Sequence, residues 1–223
     1  MKQIPLALGF HTVPTFDSFV AGGNAMALEH LRTMHGASPP VYLWGPAGSG
    51  KTHLLQALAR EFQDQGAQIG WFDSSTPAPW RVDEARSLIV LAGCDAFDAD
   101  QQHAAFALFV DAIARGIPVA AAGRVPPVDL PLRDDLRTRL GWGHVLAIQP
   151  LSEAESRAAL RREADRRGLF LSDDVMDYLL TRFSRDMKHL VGLLDRLDEF
   201  ALVNKRAVTV PLLKQMLSQE GDA

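Results

Sequence analysis

The residues with the clearest chemical potential form a loop of eight. In order they are Gly45, Pro46, Ala47, Gly48, Ser49, Gly50, Lys51 and Thr52. They match the pattern G-x-x-x-x-G-K-[ST] at every fixed position. Glycines let the backbone come close to a ligand, so that amide N–H groups can donate to phosphate oxygens at the start of a helix. Lys51 would reach the β- and γ-phosphates, and the Thr52 hydroxyl is the candidate ligand of Mg²⁺. We therefore expect this loop, with the adjoining His53, to bind a nucleoside di- or triphosphate.

Such a loop needs a strand before it and a helix after it. Residues 41–44 are a short apolar run typical of a buried strand, and residues 53–59 favour a helix. Strands that alternate with helices favour a mostly parallel sheet with helices on both faces. The sequence therefore predicts an α/β domain. Its further elements are predicted as strands over 68–72, 87–91, 117–122 and 144–148, and a helix over 100–115.

The pattern changes after Pro150 and becomes entirely helical. Ser152 and Glu155 have the spacing of a capping box, so a helix should begin there and end near Gly168. Later helices are predicted over 171–182, over 186–203 and from 209 onward. We expect three parts: a tail over 1–14, an α/β nucleotide-binding domain over 15–150 and a small helical domain over 151–223.

The composition argues against several classes of protein. The 223 residues carry a net charge of −4, so the surface as a whole does not favour a polyanion. The single cysteine, Cys94, rules out an internal disulfide and lies in an apolar stretch that favours burial. The seven histidines show no metal-ligand spacing. Neither a signal peptide nor a membrane span is indicated, and we expect a cytoplasmic protein that does not bind membranes.

A phosphate loop in an α/β domain, followed by a small helical bundle, resembles the layout of AAA+ proteins. Three segments resemble one family within that class, the bacterial replication initiator DnaA. Residues 15–20, ahead of Asn24, are similar to its opening segment. Residues 135–143 resemble its arginine-finger motif, and residues 148–152 resemble the start of its helical lid. The resemblance also implies that an adenine base lies near Asn24.

Two differences from DnaA narrow the resemblance. DnaA has a helix-turn-helix DNA-binding domain after its lid, and no such segment follows residue 217 here, so we expect no direct sequence-specific DNA binding. The N-terminus is similar to a peptide that docks on the replication sliding clamp through Gln3, Ile4, Leu6 and Leu8. Together these features resemble the Hda branch of the DnaA-related AAA+ family. The resemblance implies two partners, DnaA and the sliding clamp (the β subunit of DNA polymerase III), and a role in preventing re-initiation.

Hydrolysis needs more than a phosphate loop. A carboxylate at the end of the third strand normally holds Mg²⁺, and a neighbouring acid activates the attacking water. Ala92 and Gly93 stand where the family pattern places its acid and polar pair. Asp95 follows three residues after Ala92. We interpret it as a helix-capping or surface acid, with replacement of the missing metal ligand as the alternative.

Two further positions depart from the pattern. At the end of the fourth strand, where a polar residue normally senses the γ-phosphate, Ala122 is followed closely by Arg124, which could contact a phosphate, solvent or a partner. In the lid, the resemblance places Lys188 where an arginine usually contacts the nucleotide, with Arg185 as a substitute. Either could instead be a solvated charge at the start of a helix. A lysine keeps the charge but loses the planar fork. These departures predict a protein that holds nucleotide, ADP more than ATP, and hydrolyses it slowly or not at all.

The resemblance implies that Arg139 is an arginine finger acting in trans on ATP bound to DnaA. A finger of this kind stabilises the charge that develops on a phosphoryl group held by a neighbouring subunit. Arg133 and Arg137 are nearby alternatives, and a surface ion pair of Arg139 with Asp134 or Asp135 is the structural alternative. Self-association of the chain through Arg139 is a further hypothesis.

Other functions stay open at this point. The chain could be a self-contained AAA+ ATPase or helicase loader that acts with single-stranded DNA, in which case Asp95 would hold the metal. A small-molecule kinase is the weaker third option. The tryptophans Trp71, Trp80 and Trp142 are interpreted as packing residues rather than base-stacking platforms.

Overall fold

The computed structural model describes residues 14–36, 38–81, 83, 86–183 and 187–220. Its strands are β1 (Val41–Trp44), β2 (Gln68–Phe72), β3 (Arg86–Leu91), β4 (Val119–Gly123) and β5 (His144–Ala147). Its α-helices are α1 (Ala25–Arg32), α2 (Lys51–Asp64), α3 (Ala99–Ala114), α4 (Asp134–Leu140), α5 (Glu153–Arg166), α6 (Asp173–Arg182), α7 (Met187–Asn204) and α8 (Val210–Glu220). Two compact units contain them, Pro14–Pro150 and a helical unit that begins at Leu151.

The five strands form one parallel sheet in the order β2-β3-β4-β1-β5. The predicted α/β class with a mostly parallel sheet and a helical lid is confirmed. Strand β4 begins at Val119, two residues later than predicted, after Pro118. A proline has no N–H to donate, so it suits the position before a strand, and its carbonyl accepts from the Ile89 amide at 3.0 Å.

Different helices cover the two faces of the sheet. Successive residues of each strand therefore pack alternately against one set of helices and the other. In β1, Val41 and Leu43 pack with α1 and α2, while Tyr42 packs with α3 and α4. The same alternation runs through β3 and β4, all of whose central residues are buried. Because both faces are covered, the strands read as nearly continuous apolar runs. The carboxyl ends of β1, β3 and β4 meet at one edge of this sheet.

The helical unit has its own apolar core, built mainly from leucines of α5 to α8. Helix α5 begins with the capping box that the sequence predicted. The Ser152 hydroxyl accepts from the Glu155 amide at 3.3 Å, and the Ser152 amide donates to the Glu155 carboxylate at 2.8 Å. Within the described residues, no helix has the length and apolar character needed to cross a bilayer.

Candidate functional site

The phosphate loop joins the carboxyl end of β1 to the first turn of α2. Two of its glycines occupy positions that no other residue fits. Gly45 has a φ of 153°, and a Cβ there would lie 2.3 Å from the carbonyl oxygen of Ile148. Gly50 has a φ of 97°, and a Cβ there would lie 2.7 Å from the Phe19 ring. The segment around Phe19, which resembles the opening of DnaA, therefore lies against the loop itself.

The Lys51 ammonium is placed within the loop. It donates to the carbonyl oxygens of Gly45 at 2.7 Å and Pro46 at 2.8 Å. Burial lowers the pKa of Lys51; Asp95 opposes this shift and Arg124 adds to it. A phosphate at this position would compete with backbone carbonyls for the lysine protons. Thr52, the candidate Mg²⁺ ligand, is exposed in the first turn of α2.

His53 has different contacts from those expected of a phosphate ligand. Its Nε2 lies 2.9 Å from the Thr15 carbonyl and 3.2 Å from the Ser18 hydroxyl. A carbonyl can only accept, so Nε2 carries the proton. Burial lowers the pKa of His53 despite this hydrogen bond, which favours the neutral ring. The His53 side chain therefore ties the segment 15–18 to helix α2, and sequence reasoning missed this role because the partners lie far away along the chain.

Asp95 and Arg124 form a pair at the same edge of the sheet. The Arg124 amide donates to Asp95 Oδ1 at 3.1 Å, and Arg124 Nε lies 3.3 Å from Asp95 Oδ2. The Asp95 side chain is 18% exposed and makes no capping hydrogen bond to its 3₁₀ turn, Cys94–Ala96. The capping part of the interpretation is therefore wrong: Asp95 is a partly exposed acid that pairs with an exposed arginine. Its partner is the residue that follows β4, which neither residue's local sequence could indicate.

A hydrogen bond from β1 fixes the chain next to Arg124. The buried Tyr42 hydroxyl donates to the carbonyl of Val125 at 3.0 Å. Gly123 makes room for this contact, because a Cβ at Gly123 would lie 2.0 Å from the Tyr42 oxygen.

Cys94 is buried, as predicted, and burial raises the pKa of its thiol to about 12, which makes it a poor nucleophile.

Asn24, where the resemblance places the adenine, holds the backbone that follows β5. Its side chain is buried, donates to the Gln149 carbonyl at 2.9 Å and accepts from the Gln149 amide at 2.7 Å. This two-way amide contact joins the N-terminal segment to the end of the sheet.

The finger candidate Arg139 and its two nearby alternatives have different surroundings. Arg133 pairs with Asp135 at 2.7 Å, and Arg137 pairs with Asp134 at 2.6 Å. Arg139 lies over the ring of Trp142, 4.9 Å from its centroid. Among the described residues no ion pair to Arg139 is found, so the surface-pair alternative applies to its two neighbours and not to it.

Trp142 corrects another prediction, because it is 64% exposed and is not a packing residue of the core. Trp80, by contrast, is buried as expected, and Trp71 is half-buried. A groove of about 380 Å³ lies beside Trp142; its lining residues are Phe106, Asp135, Thr138, Arg139 and Trp142. The finger candidate thus lies at an open, partly aromatic surface.

Several predicted site residues lie outside what the structure describes. The clamp peptide, with Gln3, Ile4, Leu6 and Leu8, precedes the first described residue, and Arg185 falls in the gap before α7. Lys188 lies in the first turn of α7, and its side chain is outside the described part. The contacts of these residues therefore stay predictions.

A phosphate loop after β1, a parallel sheet in the order β2-β3-β4-β1-β5 and a following helical unit define a AAA+ protein. Two family models match the chain. Residues 11–71 match the bacterial DnaA ATPase domain, and residues 153–217 match the lid domain of Hda. The chain is a AAA+ protein related to DnaA and Hda.

Solved structures with the same fold include members of this group. Domain III of Thermotoga maritima DnaA superposes with a TM-score of 0.76 at 18% identity, covering 93% of this chain and 97% of that one. AMPPCP-bound DnaA from Aquifex aeolicus gives 0.64 at 20% identity, covering 81% of this chain and 64% of that one. A Thermotoga maritima RuvB mutant gives 0.65 at 17% identity, covering 92% and 72%. At these identities the likeness establishes the fold.

The sheet edge where β1, β3 and β4 end, with Lys51, Asp95 and Arg124, is called the nucleotide edge from here on. Its side chains do not fit the Mg²⁺ that such a fold implies. Ala92 and Gly93 follow β3 without a carboxylate, and both oxygens of Asp95 contact Arg124. No group of three or more histidine, cysteine or acidic residues within the described ranges could hold a metal ion. This edge offers Lys51, backbone amides and Arg124 to a phosphate.

Proposed function

We propose that this chain is a nucleotide-binding regulator of replication initiation in the cytoplasm. It docks on the sliding clamp through its N-terminal peptide and promotes hydrolysis of the ATP bound to DnaA, so that initiation is not repeated. The nucleotide at its own loop, ADP, acts as a structural ligand. Arg139 is the residue that acts in trans.

The observation that carries this proposal is that Arg139 has no ion-pair partner among the described residues. The two nearby alternatives, Arg133 and Arg137, are each neutralised by an aspartate within 2.7 Å, whereas Arg139 contacts the face of an exposed tryptophan. A cation–π contact at an exposed site is worth about 0.5–1 kcal/mol. It can hold the guanidinium in place and still release it to a phosphate, since a charge-assisted pair is stronger.

The chain's own nucleotide edge supports the same assignment. A loop that binds phosphate remains, while the acids that would hold a metal and activate water are replaced by Ala92 and Gly93. Catalysis by this chain is therefore better assigned to a nucleotide held by another protein. The match of residues 153–217 to the Hda lid supports a regulator rather than an initiator.

The direct test measures ATP hydrolysis by DnaA in the presence of this chain, ADP and DNA-loaded clamp. Arg139→Ala should reduce the stimulation by about 10³-fold or more, the effect of losing an arginine finger. Arg139→Lys should restore little of it, because a lysine lacks the planar fork. Arg60→Ala is a matched control, since Arg60 pairs with Asp64 on the surface of α2 and should leave stimulation unchanged. Full stimulation by Arg139→Ala would contradict the proposal.

Clamp docking has a separate test. Gln3→Ala combined with Leu6→Ala should abolish binding to the clamp at micromolar protein concentrations, since the peptide's polar and apolar anchors are both removed. ADP binding should be unchanged. A native chain that fails to bind clamp, or a double variant that still binds it, would remove this part of the proposal.

A second candidate function is a self-contained ATPase or helicase loader. One neighbour by fold, a DnaA bound to AMPPCP and single-stranded DNA, makes it worth testing. It requires Asp95 to leave Arg124 and hold a metal. Phosphate release by this chain alone, stimulated by single-stranded DNA and lost in Asp95→Ala, would favour it over the regulator.

A further inference from the structure

We propose that this chain binds its nucleoside diphosphate without Mg²⁺, and that Arg124, held in place by Asp95, supplies the positive charge that the metal would otherwise bring to the phosphates. The inference rests on the proposed nucleotide binding at Gly45–Thr52 and names the ion that this site does without.

Sheet register places Arg124 beside the loop. Trp44 and Gly123 are paired residues of the neighbouring strands β1 and β4. Gly45 and Arg124 are the next residues on each strand, so both leave the sheet at the same level. Neighbouring strands are about 4.8 Å apart. An arginine side chain is longer than this spacing, so its guanidinium can reach a phosphate that the loop holds.

Asp95 comes to Arg124 from the other side. Strand β4 lies between β1 and β3, and Asp95 is in the turn that follows β3. Its two oxygens contact the Arg124 amide and Nε. Among the described residues, the two Nη groups of Arg124 have no protein partner, and the side chain is 73% exposed. The guanidinium is therefore fixed at one edge and open at the other, where two parallel N–H groups suit a phosphate.

Charge at this edge agrees with the assignment. The pKa of Lys51 is lowered overall, mainly by burial. Arg124 adds to this lowering and Asp95 opposes it. Both members of the pair thus lie within electrostatic range of the lysine that belongs to the phosphate loop. A carboxylate that is neutralised by an arginine is a poor ligand for a divalent cation, since the cation would have to displace the arginine.

The test measures ADP affinity of the full chain by calorimetry, once with excess Mg²⁺ and once with EDTA. The dissociation constants should agree within about twofold, less than the value of one hydrogen bond. In EDTA, Arg124→Ala should weaken ADP binding by about tenfold or more, the value of a hydrogen bond to a charged group. Arg124→Lys should lie between the two. Arg115→Ala is the matched control, because Arg115 also pairs with an aspartate but precedes β4 at the opposite edge of the sheet.

Three results would overturn the inference. One is ADP binding that strengthens about tenfold or more on adding Mg²⁺ to the native chain. Another is a folded Arg124→Ala chain with native affinity in EDTA. The third is a native chain that binds no ADP in either condition, which would remove the proposed nucleotide binding as well. The Mg²⁺ comparison uses the native chain alone, so it decides the matter even if the variant fails to fold.

Discussion

The nucleotide edge of the sheet and the surface of α4 belong to one compact unit, yet their key arginines have opposite surroundings. At the nucleotide edge, Arg124 is held by a mostly covered carboxylate on the neighbouring strand connection. On α4, Arg139 lies over an exposed indole, while the nearby Arg133 and Arg137 are each paired with an aspartate. The first arrangement fixes a cation beside the chain's own phosphate loop. The second keeps a cation available to something outside the chain.

This difference separates holding a nucleotide from acting on one. A AAA+ protein that turns over its own ATP needs a carboxylate-held metal at the edge where Asp95 is bound to Arg124. A protein that acts on a partner's ATP needs only a reachable arginine. The two regions should therefore respond to different substitutions, and the following tests measure how independent they are.

The largest effect on the nucleotide edge is expected from Lys51→Ala. Affinity for ADP should fall by on the order of 100-fold, since the ammonium makes charge-assisted bonds to phosphate worth about 1.5–3 kcal/mol each. Stimulation of DnaA should survive at saturating ADP, because Arg139 is untouched. Calorimetry and the hydrolysis assay measure the two quantities. Loss of stimulation in a folded, ADP-saturated variant would show that the regions are coupled.

Gly50→Ala should have a smaller effect on the same edge. The new Cβ would lie 2.7 Å from the Phe19 ring, at a φ of 97° that a side chain resists. We expect a loss of about 2–3 kcal/mol in the free energy of unfolding and weaker ADP binding. Urea denaturation gives the first value. Gly66→Ala is a useful comparison, because its φ is also positive but nothing lies within 4 Å of the added Cβ. Equal losses in both variants would mean that Phe19 does not matter.

Just after α4, Trp142→Ala should reduce stimulation of DnaA by about two- to fivefold, the value of an exposed cation–π contact. Trp142→Phe should keep part of the effect, because a phenyl ring still presents a negative face. Neither change should alter ADP affinity. Stimulation unchanged by the alanine variant would assign Trp142 a role other than positioning Arg139.

The smallest expected effect is a pH dependence of the free energy of unfolding, caused by His53 and His30. Burial lowers the pKa of His53, and burial together with His144 lowers that of His30. The unfolded chain then binds protons that the native chain does not, so stability is full above the ordinary value of 6.5 and falls as the pH drops below it. Urea midpoints on both sides of this pH measure the loss. In His53→Gln the pH dependence should be smaller; an unchanged slope would exclude His53 as a source.

Local patterns predicted the fold well, because strands, loop and caps each depend on residues close together in sequence. The phosphate loop between β1 and α2, and the box of Ser152 and Glu155, are of this kind. The contacts that decide the site's chemistry are not local. Asp95 and Arg124 are separated by 29 positions, and His53 and Thr15 by 38. No local pattern could indicate that such groups meet, nor that Trp142 lies on the surface.

The hydroxyl of Tyr42 has a consequence for how this sequence can change during evolution. It fills the space where Gly123 would carry a Cβ, and it holds the carbonyl of Val125. We therefore expect a side chain at position 123 only where position 42 has lost its hydroxyl, and that loss removes the hydrogen bond to the Val125 carbonyl, next to Arg124. Among related sequences, positions 42, 123 and 124 should co-vary as a group.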